Sequence, residues 1–107
     1  FYFGMINEKV YGLCKKIPAG KISTYKILAE KLNTKAYRAV GQALKKNPYA
    51  PAVPCYRIVS SSGLIGGFKG KTSGKEILEK IKMLEKEGVK IKDNKIIDFE
   101  KVLYKFK

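Results

Sequence analysis

Proline recurs at every third position between Pro48 and Pro54, through Pro51, and this stretch constrains the chain more than any other. A proline fixes its own φ, donates no backbone hydrogen bond and pushes the preceding residue out of the helical region. Residues 47 to 54 are therefore a loop, and whatever helices the first half forms must end before it. The loop delivers Pro54-Cys55-Tyr56-Arg57 and then the apolar pair Ile58-Val59. A cysteine held between a proline frame and a short strand is a candidate nucleophile. The chain contains no histidine, so the usual Cys-His pair cannot be built from its own residues, and another group must activate Cys55.

The 107 residues are enough for one domain with a modest core. No apolar run approaches membrane-spanning length and no signal peptide is visible, so we expect a soluble, cytoplasmic protein with reduced thiols. Without a Cys-x-x-Cys or Cys/His cluster, no metal is expected. The formal charge is +14, from 23 basic and 9 acidic residues. From Lys31 to Lys75 there is no acid at all, while Glu76, Glu79, Glu85, Glu87, Asp93, Asp98 and Glu100 gather after it. One face should be strongly electropositive, with nucleic acid as its natural partner rather than a membrane, for which the block lacks an amphipathic helix. Solvated lysines account for much of the C-terminal half. Only Arg38 and Arg57 are arginine, which points either to forked guanidinium chemistry at those two places or to chance use of a rarer residue.

Ile6, Val10, Leu13, Cys14 and Ile17 recur at helical spacing, predicting a helix over 5–16 that buries Cys14 as a small core hydrophobe. A second helix, capped by Ser23 or Thr24, should run to Leu32 and bury Ile27, Leu28 and Leu32. After a turn at Asn33-Thr34, a third helix over 35–46 turns Val40, Ala43 and Leu44 inward, with Ala36, Ala39 and Gly41 thinning its surface. Gly41 inside a helix costs about 1 kcal/mol relative to alanine, which suggests close approach of another backbone, protein or ligand. Two helices joined by a short turn read as helix-turn-helix. Ser60 to Gly74 is a glycine-rich loop, either a plain surface connection or a wing over a ligand. Ser73 and Glu76 form a capping box for a helix through Glu87, buried along Ile77, Leu78, Ile81 and Leu84. A small hairpin around Asp93-Asn94 and a last helix through Phe99, Val102, Leu103 and Phe106 complete a mostly α fold with small β elements.

Several stretches in register, Ile17-Pro18-Ala19-Gly20-Lys21-Ile22-Ser23-Thr24-Tyr25, Arg38-Ala39-Val40-Gly41, Lys46-Asn47-Pro48, Val53-Pro54-Cys55-Tyr56-Arg57-Ile58-Val59 and Gly66-Gly67-Phe68, strongly resemble the O6-alkylguanine-DNA alkyltransferases. The match runs from about Lys9 to Gly88. The resemblance implies a winged helix-turn-helix domain that enters the minor groove, flips the damaged guanine and moves its alkyl group irreversibly onto a cysteine, without cofactor. It makes Cys55 the alkyl acceptor and Arg38 the finger that fills the space of the flipped nucleotide. Tyr25 becomes the residue beside the 3′ phosphate that can protonate departing guanine. Asn47 braces the active-site turn, and Ile58, Phe68, Lys69 and Leu44 form the substrate pocket. Ala36, Ala39, Gly41, Gln42 and Lys45 complete the DNA-facing helix. The resemblance also leads us to expect a monomer acting on double-stranded DNA containing O6-alkylguanine. The family's usual N-terminal domain has only about eight residues in its place, which fits a minimal form, a trimmed chain or a fusion.

The family activates its cysteine through water, histidine and glutamate. Here Glu87 matches the glutamate and Tyr56 stands where histidine does. A free cysteine titrates near pH 8.5, so its thiolate needs a positive environment or a proton acceptor at neutral pH. Either the Tyr56 hydroxyl relays a proton between Cys55, a water and Glu87, the reading we favour, or it fills space and activity is reduced. Two other functions compete with alkyl transfer. One is a lesion-binding module like the alkyltransferase-like proteins, which usually carry tryptophan in place of the cysteine. The other is an ordinary winged-helix regulator, for which residues 36 to 46 offer few base-reading side chains beyond Arg38 and Gln42.

Overall fold

The computed structural model describes residues 3–48, 52–69 and 71–106, with backbone alone for residues 3–5. Helix α1 (Phe3–Lys16) lays Ile6, Val10, Tyr11 and Cys14 into the core, as its periodicity requires, and packs against α3. The Tyr11 hydroxyl donates to the Ala43 carbonyl at 2.9 Å, pinning the two helices together. Strand β1 (Ser23–Thr24) leads directly into α2 (Tyr25–Lys31), where Thr24 is the N-cap and its Oγ1 accepts from the Ile27 amide at 3.1 Å. Leu28 and Ala29 are the buried residues of α2, whereas Ile27 and Leu32 are only half-buried, so the helix rotates its inward face one step from the expected one.

The turn between α2 and α3 (Tyr37–Lys45) has a definable cause. Asn33 adopts φ 55°, the Asn33 amide donates to the Glu30 carbonyl and the Thr34 amide to the Ala29 carbonyl, each at 3.0 Å. That pair of bonds is a Schellman termination with asparagine in the left-handed position usually taken by glycine. Thr34 Oγ1 then accepts from the Ala36 amide at 3.0 Å and turns the chain into α3. Val40, Ala43 and Leu44 face inward, completing a helix-turn-helix. Its core is ordinary in energetic terms: a fully buried leucine such as Leu28 contributes about 1.5–3 kcal/mol.

A short 3₁₀ turn (Cys55–Arg57) opens into β2 (Ile58–Val59), which pairs in parallel with β1, Ser23 opposite Ile58 and Thr24 opposite Val59. This pairing is what carries the cysteine turn to the start of α2. Pro51 and Gly70, both in loops expected from the sequence, lie outside the described residues. The wing is β3 (Ile91–Lys92) and β4 (Lys95–Ile96), antiparallel, with Asp93 and Asn94 both at positive φ in the connecting turn. The glycine-rich segment from Ser60 does not wander over the surface: the Ile65 amide donates to the Asn94 carbonyl and the Ile96 amide to the Gly63 carbonyl, both at 2.9 Å.

Three expectations for the C-terminal third are corrected. Helix α4 (Lys75–Lys86) takes Gly74 as N-cap at φ 87° with no side-chain cap bond, so Ser73 stands one position too early to form a capping box. Its buried face is Ile77, Lys80 and Leu84; Leu78 points to solvent and is 59% exposed. The last helix is the single turn α5 (Phe99–Val102), after which Leu103 extends to bridge Ile22 beside β1.

Candidate functional site

Cys55 begins the 3₁₀ turn, with its amide bonded to the Val53 carbonyl at 2.8 Å and the Arg57 amide to the Pro54 carbonyl at 3.0 Å. Asn47, just past α3, donates from Nδ2 to the Val53 carbonyl at 2.9 Å and so braces the loop that presents the cysteine. Cys55 is 8% exposed and opens onto a cavity of about 210 Å³. Tyr25 of α2, Leu44 and Lys45 of α3, and Phe68 and Lys69 of the glycine-rich segment line the rest, with Gly67, Lys71 and Thr72. Ligand pockets for drug-sized molecules usually span about 300–1,000 Å³, so this one suits a single small group such as one base.

Two glycines shape the wall. Gly66 sits at φ 75°, and a Cβ there would meet the Tyr25 hydroxyl at 3.3 Å; a Cβ at Gly67 would come within 3.0 Å of the Lys71 carbonyl oxygen. The Tyr25 hydroxyl reaches the Gly67 carbonyl only at 3.5 Å, the outer limit of a hydrogen bond, which leaves it available to a ligand. Burial first, and then the facing Cys55 charge, push the Tyr25 phenol above its ordinary value, so it stays a donor. Lys69 is at φ 52°, lies 5.3 Å over the Phe68 ring and pairs with Glu79 at 2.8 Å on the exposed surface.

The same helix offers a second surface. Ala36, Arg38, Ala39, Gln42 and Lys46, with Asn7 from α1, line an open groove of about 530 Å³. Gly41 is not among the residues lining this groove, and no described atom beyond its chain neighbours and its own helix backbone lies within 4 Å of where its Cβ would stand. The close approach inferred from its sequence position is therefore not made by another described part of this chain. Lys45, grouped by sequence with the groove residues, lines the cysteine cavity instead.

Tyr56, Arg57 and Glu87 form a network on the other side of the cysteine turn. Arg57 forks onto Glu87, Nε to Oε1 at 2.9 Å and Nη2 to Oε2 at 2.5 Å, while its Nη1 donates to the Ile17 carbonyl at 2.8 Å. The Tyr56 hydroxyl donates to Glu87 Oε2 at 2.5 Å and accepts from Arg57 Nη2 at 3.0 Å. The Gly20 amide supplies a further bond to Oε1 at 3.3 Å, from a turn at φ 86° that brings it against the end of α4. Four donors thus occupy the four lone-pair sites of the carboxylate. Burial works against the Glu87 charge, but the bonds from Arg57, Tyr56 and Gly20 outweigh it and hold the carboxyl below its ordinary value. Burial, and then the hydrogen bond to Glu87, raise the Tyr56 phenol.

Lys80 is the residue that sequence reasoning missed. It is fully buried at 0% exposure, and its Nζ donates to the carbonyls of Ile58 and Ile65 at 2.6 Å each and of Gly67 at 3.0 Å. Ile58 itself does not line the cavity; it lies behind it, with its carbonyl turned to this ammonium. The signal was legible: Lys80 stands three residues after Ile77 and four before Leu84, on the apolar stripe.

A helix-turn-helix with a hairpin wing, bearing a cysteine beside a small cavity at the end of its second helix, defines a winged-helix domain with a cysteine-lined pocket. The family model of the 6-O-methylguanine DNA methyltransferase DNA binding domain matches residues 5–89, and the chain belongs to that family. It is 48% identical to a methylated-DNA–protein-cysteine methyltransferase of Sulfolobus acidocaldarius over 85 residues, 79% of this chain and 50% of that protein. The chain spans about half the length of the curated relatives it matches. Among solved structures, S. pombe Atl1 in complex with damaged DNA containing O6-carboxymethylguanine superposes with a TM-score of 0.84 at 30% identity, covering 98% of this chain and 99% of that one. The O6-methylguanine-DNA methyltransferase of Pyrococcus kodakaraensis gives a TM-score of 0.66 at 44% identity, covering 78% and 46%.

Proposed function

We propose that this chain is a DNA repair alkyltransferase domain that turns an O6-alkylguanine out of duplex DNA and transfers the alkyl group irreversibly to Cys55, once per molecule. The observation that carries the reading is the cysteine opening onto a base-sized cavity walled by Leu44 and Lys45 of α3, the helix that also bears Arg38. In the transfer, the Cys55 sulfur forms a bond to the alkyl carbon as the carbon–O6 bond breaks and its electron pair stays on guanine. The Tyr25 hydroxyl is placed to protonate the leaving base. No cofactor enters the step. The thin surface of Ala36 and Ala39 fits a minor groove, with Gln42 beside the bases and Arg38 filling the vacated stack. Such a domain acts as a monomer on the genome, inside the cell.

The Tyr56–Glu87 bond supplies half of a proton relay. A phenol held protonated passes a proton on only by accepting one at the lone pair that Arg57 leaves open while giving its own to Glu87. Incubation with a duplex containing O6-methylguanine, followed by intact-protein mass spectrometry and peptide mapping, should show a gain of one methyl on the Cys55 peptide. No gain, together with selective binding of the lesion duplex, would instead establish a lesion-binding module. The end-to-end likeness to S. pombe Atl1 and the tyrosine in the histidine position favour that second reading.

Arg38→Ala should weaken binding to the lesion duplex by about tenfold to a hundredfold, the scale of one lost stacking contact, and leave nonspecific duplex affinity nearly unchanged. Nonspecific binding should fall steeply with salt, as expected for about four to six phosphate contacts. Equal losses on both duplexes in an anisotropy titration would remove Arg38 from the finger role.

A further inference from the structure

Tyr37, the first residue of α3, is 48% exposed and is the one exposed aromatic side chain among the described residues. Among those residues its ring meets no other ring or cation, and its hydroxyl takes part in no hydrogen bond. A single exposed apolar side chain is ordinary on a protein surface, but the surroundings of this one are not. It stands in the acid-free stretch, directly before Arg38 and with Lys35 exposed beside it. A helix turns about 100° per residue, which puts Tyr37 on the same side of α3 as Gly41, Leu44 and Lys45, and Arg38 on the side of Gln42. Leu44 and Lys45 line the cysteine cavity, whereas Arg38 and Gln42 line the groove. Gly41 adds no side chain to the first of these sides, so the Tyr37 ring projects there with bare backbone one turn behind it. Leu44 lies seven residues on, about 10 Å along the helix axis, the span of about three base steps. Tyr37 is therefore placed beside the nucleotide that enters the cavity, and it does not line the cavity itself.

We propose that Tyr37 is a second wedge in the opened duplex: its ring covers the lesion-strand base that loses its stacking partner when the alkylguanine turns into the cavity, while Arg38 occupies the vacated space. The inference rests on the base-flipping part of the proposed function. An unstacked base presents a flat face that an aromatic ring covers whatever the sequence, and apolar side chains inserted from the minor groove hold base steps apart. The two side chains diverge by about 100° around α3, so each serves a different border of the same gap. Tyr37 touches no reacting atom. It is a positioning residue, and it acts by favouring the flipped state over the stacked one.

Anisotropy titrations of the full chain with an O6-methylguanine duplex and with an undamaged duplex of the same sequence test this in the unaltered protein, Tyr37→Ala and Tyr37→Phe. Tyr37→Ala should weaken lesion binding about fivefold to a hundredfold, the scale of one lost base–aromatic stack, and leave the undamaged duplex within about twofold. Tyr37→Phe should bind as the unaltered protein does, because the ring and not the hydroxyl makes the contact. No loss in Tyr37→Ala, the same loss on both duplexes, or a comparable loss in Tyr37→Phe would overturn the proposal. A second series places the ring. Replacing one lesion-strand neighbour of the O6-methylguanine by an abasic tetrahydrofuran should erase the difference between the unaltered protein and Tyr37→Ala, because the base that the ring covers is gone. A difference that survives replacement of either lesion-strand neighbour would also overturn the proposal. All of these readouts are binding. A protein that gains no methyl would sink alkyl transfer and leave the wedge standing, while a Tyr37→Ala variant that binds normally would sink the wedge and leave alkyl transfer standing.

Discussion

Cys55→Ser should abolish methyl acceptance from an O6-methylguanine duplex while lesion binding stays within about twofold, because a hydroxyl fills nearly the same space and is protonated at any neutral pH. The second cysteine provides the control. Cys14 is at 0% exposure on the buried face of α1, and burial first, then the Cys55 charge, push its thiol up to about 12. It is therefore an inert thiol at physiological pH. Cys14→Ser should leave transfer intact and cost about 1–3 kcal/mol of stability, since a hydroxyl replaces a thiol among apolar side chains. Intact-mass measurements on both variants decide between the cysteines, and urea melts report the stability. Transfer surviving in Cys55→Ser, or lost in a folded Cys14→Ser, would overturn the choice of nucleophile.

Local chemistry made much of the fold legible. The apolar spacing of α1, the asparagine turn after α2, the inward residues of α3 and the Asp93-Asn94 turn each involve residues within a few positions of one another, where periodicity and turn preferences speak directly. What stayed hidden depends on distant partners. Nothing within Ser23-Thr24 announces a strand; it becomes one because Ile58-Val59 lies alongside. The Ser73–Glu76 spacing has the form of a capping box, but Gly74 can take the N-cap at a φ that serine would resist, so the helix begins one residue later. Hydropathy alone points Leu78 inward, yet it faces solvent. Phe106 is buried, yet not on a helix, because Leu103 leaves α5 to bridge Ile22.

The candidate site divides along the same line. The resemblance implies a shared site for Cys55, Tyr25, Leu44, Phe68 and Lys69, and all five line one cavity. The scarcity of arginine leaves forked chemistry and chance use equally open; at Arg57 a fork is present, on Glu87, and serves the fold of the cysteine turn. Lys80 escaped notice because lysine in a lysine-rich half reads as solvated. Its burial depends on three carbonyls that converge only once β2 and the glycine-rich segment are packed against α4.

Glu87→Ala should be the most destabilising single change at the site. Arg57 and Glu87 are 14% and 15% exposed, so little solvent screens the pair, and removing the carboxylate leaves a largely buried guanidinium and a phenol hydroxyl without their acceptor. Breaking a buried pair costs about 3–5 kcal/mol, and the residual exposure brings the expectation here to about 2–4 kcal/mol. Replacing Arg57 as well, with methionine, should cost much less than the two single losses added together, because the double variant leaves no orphaned charge. Acid should expose the same interaction. The folded-state carboxyl lies below its ordinary value of 4.5, so its contribution is complete above that value and is lost as pH falls through the lower folded-state value. Urea melts between pH 7 and pH 3 should therefore show the unaltered protein losing more stability than Glu87→Gln, which has no carboxylate to protonate. Parallel losses in the two proteins would mean that the Glu87 charge adds nothing to holding the cysteine turn, and that its hydrogen bonds alone, which glutamine partly reproduces, fix Tyr56 and Arg57 in place.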